Sequence, residues 1–127
     1  MNNQLSIKAL NHVALQISNI DISRDFYSQV LDLQEIPTPA FDYPVAWFSL
    51  GAGRELHLVG RETDIKTIPI RGNHFALEVA NVYQAEKHLQ EKGIPYLPIK
   101  YRPDGAKQLF LNDPDGHFIE LCQLIVS

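Results

Sequence analysis

From His12 the chain alternates, with Val13, Leu15 and Ile17 apolar and His12, Ala14 and Gln16 between them. A period of two puts each set on its own face of a β-strand. The pattern returns from His74, where Phe75, Leu77 and Val79 take one face and His74, Ala76 and Glu78 the other. Each strand ends at an asparagine, Asn19 or Asn81, whose side-chain oxygen can accept from a free backbone N–H and so cap a helix. Helical spacing follows. Ile22, Phe26, Tyr27, Val30 and Leu31 make one apolar stripe, and Val82, Ala85 and Leu89 a second. Gly93 stops the second helix and Pro95 prevents its continuation. Three strand-like runs come after each helix. The first set lies near Leu33–Ile36, Val45–Leu50 and Glu55–Val59, the second near Tyr96–Ile99, Lys107–Leu111 and His117–Gln123.

The order β-α-β-β-β thus occurs twice, opened by "HVALQISNI" and "HFALEVANV" at an offset of 62 residues from His12 to His74. The pattern predicts a single α+β domain over residues 1–127. Module one spans about 8–60, a joining stretch of low periodicity 61–71, and module two about 72–124. Helices on one side leave the other side of a curved sheet free. Two paired modules would then enclose a cup.

Candidate chemistry collects on the free faces. In "DPDGHFIELC" the turn Asp113–Gly116 sets a hairpin register, and Glu120 shares a face with Phe118 and Cys122 while Ile119 and Leu121 take the other. A carboxylate among apolar neighbours needs a partner, and a cation or metal is the first candidate. His12 and His74 have the parity to join it. Two imidazoles and a carboxylate from different strands suit a facial site for zinc, nickel, cobalt, manganese or iron(II). The fourth strand offers both Glu55 and His57 on one face. Counting from Gly51 and Gly116 pairs Glu55 with Glu120, whereas counting from Gly53 pairs His57 with it. Spacing leaves both open, as it does a rim salt bridge between Glu55 and Arg54. His88 and His117 read as surface or packed residues. Aromatic residues in "PTPAFDYPVAWF", namely Phe41, Tyr43 and Trp47, read as a lid over the cavity. Tyr101, Arg102 and Lys107 read either as a patch that steers an anionic substrate or as solvated residues. Cys122 reads as a small buried filler.

The 127 residues are 45% hydrophobic and 20% charged, with a net charge of −4, the balance of a globular protein that offers no basic face to nucleic acid. The N-terminal stretch has no basic-then-apolar signal pattern, and no apolar run reaches membrane-spanning length. A single cysteine cannot form an internal disulfide, so a cytoplasmic location is expected.

The ordered set "NHVALQISNI", "RDFYSQVLDL", "GRELHLVG", "NHFALEV" and "DPDGHFIEL" resembles the vicinal oxygen chelate superfamily, over about Leu10 to Leu124. That superfamily includes glyoxalase I, fosfomycin-resistance enzymes, methylmalonyl-CoA epimerase, extradiol dioxygenases and bleomycin-resistance proteins. The resemblance implies a divalent metal held by His12, His74 and Glu120, with Glu55 or His57 as the fourth-strand ligand. It implies Glu120 as a catalytic carboxylate, a small-molecule substrate with two adjacent oxygens, and a homodimer. A lyase or isomerase of glyoxalase type is the activity expected. An iron(II) dioxygenase, a fosfomycin-type thiol transferase and a metal-free drug-sequestering protein are the alternatives. The chain carries no glutathione-binding set of basic residues, which sets it apart from glyoxalase I proper.

Overall fold

A computed structural model describes residues 5–60 and 69–125, so that most of the expected joining stretch 61–71 lies outside the described residues. Strand β1 (His12–Gln16) leads into α1 (Ile20–Asp25), which runs on as a π-helical turn, Phe26–Val30. Strands β2 (Glu35–Ile36), β3 (Val45–Gly51) and β4 (Arg54–Val59) complete the first module. The second repeats it: β5 (His74–Glu78), α2 (Val82–Glu91), β6 (Lys100–Tyr101), β7 (Lys107–Asn112) and β8 (Phe118–Gln123). The strands form two four-stranded sheets, ordered β1-β4-β3-β2 and β5-β8-β7-β6. In each, the first and last strands of the module pair in parallel and the rest antiparallel. The predicted α+β class and the doubled β-α-β-β-β order both hold.

The period-two patterns put their apolar sets where expected. Leu56, Leu58, Phe48, Leu109, Leu111 and Ile119 are fully buried in one cluster with Tyr27, Val82 and Leu89, and Val13, Leu15, Phe75 and Leu77 pack against it. Both caps form: Asn19 Oδ1 accepts from Ile22 N at 3.1 Å, and Asn81 Oδ1 from Tyr83 N at 2.9 Å and Gln84 N at 3.1 Å. No helix among the described residues is long and apolar enough to cross a membrane.

Two expectations need correction. Ile22 is 55% exposed, while Ser23 beside it is buried with Tyr27. Residues 23 and 27 lie one turn apart, and a step back to Ile22 rotates a side chain about 100° out of that face. The sixth strand lies at Lys100–Tyr101 rather than 96–99. Pro95 and Pro98 cannot donate to a ladder, and between them Leu97 N makes one backbone bond to β7, to Phe110 O at 2.9 Å.

The "DPDG" turn does more than set a hairpin. Asp113 Oδ1 accepts from Asp115 N at 3.0 Å and His117 N at 2.8 Å, and Tyr27 of module one donates its hydroxyl to Asp113 Oδ2 at 2.7 Å. Ser18 gives its N–H and hydroxyl to the Asp115 carboxylate at 3.0 and 2.6 Å. His117 Nε2 reaches Gln16 O at 2.7 Å, and His88 Nε2 reaches Val30 O at 2.8 Å. Both histidines therefore bridge the modules. The turn is a latch between two halves of the chain.

Candidate functional site

Strand register decides which fourth-strand residue matches Glu120. In module one Ala14 of β1 pairs with His57, and Trp47 of β3 pairs with His57. In module two Ala76 of β5 pairs with Glu120, and Phe110 of β7 pairs with Glu120. His57 thus occupies the position that Glu120 holds in the second sheet, and Glu55 corresponds to Phe118.

The face of module one carries a ladder of rings. His12 and His57 stack with centroids 4.2 Å apart, and Trp47 stacks on the other side of His57 at 3.9 Å with planes 5° apart. With both faces covered, His57 is reached only at its edge, where Nε2 lies 2.9 Å from Glu55 Oε1. His12 Nδ1 lies 2.7 Å from Asn11 Oδ1. An amide oxygen can only accept, so Nδ1 carries the proton and Nε2 keeps its lone pair. Arg54 turns to the Ala52 carbonyl and makes no bridge to Glu55.

The face of module two has the same logic. His74 Nδ1 lies 2.7 Å from the Arg71 carbonyl and so carries a proton. Its Nε2 stands 2.9 Å from Glu120 Oε1. Two such atoms at this distance need a proton or a cation between them. Gln108 donates to the other oxygen, Glu120 Oε2, at 3.1 Å. Glu120 is only 4% exposed, and Phe110 sets its ring edge-on to His74 at 5.0 Å. The carboxylate's partners include an imidazole, an amide and the Cys122 thiol. Burial first, and then the Glu120 charge, push the Cys122 thiol up, which keeps it protonated and suits a filler rather than a nucleophile.

Among the described residues these two halves do not combine into one ligand group within a single chain. Among the described residues no group of three His, Cys, Asp or Glu side chains could hold a metal, so the expected convergence of His12, His74 and Glu120 is not realised in the single chain. The reason is topological. His12 sits on β1 and turns to Asn11 and the His57 ring of its own sheet, His74 sits on β5 and turns to Glu120 of its own sheet, and among the described residues no ladder joins the two sheets. A seam cavity of about 600 Å³ reaches Gln16, His74 and Phe118, but His12, Glu55, His57 and Glu120 do not line it.

Outlying candidates divide. Trp47 lies within β3, not in a loop, while Phe41 and Tyr43 precede that strand and pack near it, Phe41 at 6.2 Å from the Trp47 ring. Tyr101 and Lys107 face the helix side: the Tyr101 hydroxyl meets that of Tyr83 on α2 at 2.9 Å, and Lys107 Nζ lies 5.2 Å over the Tyr83 ring. They share the parity of buried Leu109 and are corrected out of the Glu120 face, because a strand turns alternate residues apart. Arg102 has the other parity but clasps Asp104 through two bonds of 2.8 and 2.7 Å, holding that carboxyl down at about 2. Sequence reading missed Gln108 and Asn11. Gln108 was findable, being two residues from Phe110 on the Glu120 side.

A profile described as the Glyoxalase/Bleomycin resistance protein/Dioxygenase superfamily matches residues 9–121. The chain belongs to that superfamily. The chain is 33% identical to "Glyoxylase I 4" of Arabidopsis thaliana, covering 94% of this chain and 73% of that protein. It is 27% identical to "Metallothiol transferase FosB" of Bacillus licheniformis, over 91% and 75% of the two chains. A crystal structure of a glyoxalase family protein from Bacillus anthracis superposes with a TM-score of 0.80 at 24% identity, covering 98% of this chain and 100% of that one. That likeness concerns the fold.

Proposed function

We propose that this superfamily member is a divalent-metal enzyme of glyoxalase type, a lyase or isomerase acting on a small substrate with two adjacent oxygens. The observation that carries the reading is the matched pair of oriented imidazoles. His12 and His74 each spend Nδ1 on an oxygen acceptor, which turns Nε2 outward, towards Glu120 in the case of His74, the arrangement by which outer partners orient metal ligands. The donor set fits. His12 and His57 come from one sheet and His74 and Glu120 from the other, nitrogen and oxygen donors suited to zinc, nickel, cobalt, manganese or iron(II). Bound there, the metal would supply Lewis-acid polarisation of the two substrate oxygens.

The protein's own part is proton handling and exclusion of water. Glu120, buried against His74 and Gln108, is the carboxylate that takes a proton from the substrate carbon and returns it to the neighbouring one. Glu55 is the second carboxylate, held beside His57. Since one chain keeps the halves apart, a homodimer completes the cup, module one of one protomer facing module two of its partner. A closed symmetric pair then contains two such cups.

Mixing variants tests this. His12→Ala and His74→Ala homodimers should each lose metal. A heterodimer of the two, purified by two different tags, keeps one cup with every ligand and should hold half the wild-type metal. Metal in that heterodimer no higher than in either variant homodimer would refute the shared site.

A further inference from the structure

A second cavity opens where the two modules meet, and it encloses about 520 Å³, room enough for a small organic molecule. Module one lines it with Val30, Leu33 and Leu50, and module two with Leu77, Leu89 and Leu121. Leu50, Leu77 and Leu121 have the strand parity of Phe48, Phe75 and Ile119, which pack in or against the core. The cavity therefore lies on the helix side of the sheets. None of His12, His57, His74 and Glu120 lines it. Leu89 and Leu121 are buried at its floor, so an apolar chain entering it leaves water for an apolar wall.

The charged groups of the lining all have one sign. Asp32 and Glu78 line the cavity, and no lysine or arginine does so among the described residues. Asp32 follows the π-helical turn at φ 54°, with its side chain 72% exposed. The one basic group near its carboxylate is His88 Nε2 at 3.8 Å, and that nitrogen is already given to the Val30 carbonyl at 2.8 Å. Glu78, exposed at the end of β5, makes no ion pair among the described residues. An anion entering here meets two like charges, and a neutral molecule gains nothing from them. A cation gains from both.

We infer that this junction cavity is a binding site for an apolar molecule that ends in one protonated amine. The chain lies against the leucines contributed by both modules, and the ammonium is received by the carboxylates of Asp32 and Glu78. The site is separate from the proposed metal centre and needs no metal.

The test titrates hexylamine, hexanol and hexanoate, which differ only in the head group, into the full chain labelled at its leucine and valine methyls. An alkylamine keeps its proton at pH 7, as a lysine does. Hexylamine should shift the methyls of Leu33, Leu50, Leu77 and Leu121 saturably. It should bind about tenfold tighter than hexanoate, with hexanol between them, and added salt should narrow the gap. Butylamine should bind about tenfold more weakly than hexylamine, the scale of two buried methylenes. Asp32→Asn, which keeps a residue tolerant of positive φ, and Glu78→Gln should each weaken hexylamine by about threefold and leave hexanol unchanged. Zinc should alter none of these affinities. Shifts that do not saturate, equal affinity for hexylamine and hexanoate, or a double variant that keeps the preference for the amine overturns the site. So does an affinity for hexylamine that depends on zinc, which would place the amine at the metal instead.

Discussion

The hydroxyl of Tyr27 offers a clean perturbation of the contact that joins the modules. Tyr27→Phe removes one oxygen and leaves the ring in place against Phe26 and Phe48. What is lost is the 2.7 Å bond to Asp113 Oδ2, between a fully buried tyrosine and a carboxylate that is 5% exposed. A hydrogen bond to a charged group contributes about 1.5–3 kcal/mol, and here the acceptor stays buried after the donor is gone. A loss of about 2 kcal/mol is therefore expected, or roughly 6–10 °C in melting temperature for a chain of this length. Guanidinium unfolding should show a lower midpoint with an unchanged slope. The pH dependence sharpens the test. Burial raises the Asp113 carboxyl above its ordinary value, and the Tyr27 hydroxyl opposes that rise by favouring the charged form. A carboxyl raised in the fold contributes stability that is complete below the unfolded value of 3.8 and is lost as pH climbs through the folded value. The Tyr27 bond offsets part of that loss. Because the bond favours the charged carboxylate, its removal should cost more at pH 7 than at pH 4. A change below about 0.5 kcal/mol at pH 7, the scale of an ordinary surface substitution, would refute the latch. So would a loss of equal size at both pH values.

Two further outcomes follow from the half-sites. Gln108→Leu, which removes the donor to Glu120 Oε2 but keeps all four proposed ligands, should weaken metal binding by about tenfold to a hundredfold in competition with a chromophoric chelator; unaltered affinity in a folded variant would count against Gln108 as an outer partner. If the chemistry is proton transfer, turnover should persist under argon with zinc, nickel, cobalt or manganese, and an oxygen electrode should record no uptake; oxygen consumption matched to product and abolished by Glu120→Ala would favour the iron(II) dioxygenase instead.

Local physics made much of this protein legible in its sequence. Alternation assigned Val13 and Leu15 to the core and left His12 on the opposite face, because side-chain direction along a strand depends only on parity. Asn19 and Asn81 announced their helices because a cap bond spans two or three residues. The repeat that relates His12 to His74 is likewise visible without any tertiary contact.

Other features depended on which distant segments meet. Whether His57 or Glu55 matches Glu120 turns on the parallel pairing of β1 with β4 and of β5 with β8, and pairing register is set across the sheet rather than along the chain. The stack of His57 between His12 and Trp47 brings together three strands, and the bond from Tyr27 to Asp113 closes a separation of 86 residues. No spacing rule reaches so far. The division of the site into two halves was equally beyond the pattern of residues. Parity places His12, His57, His74 and Glu120 on free faces, but only the packing of the sheets decides whether those faces look at each other or towards a second copy of the chain.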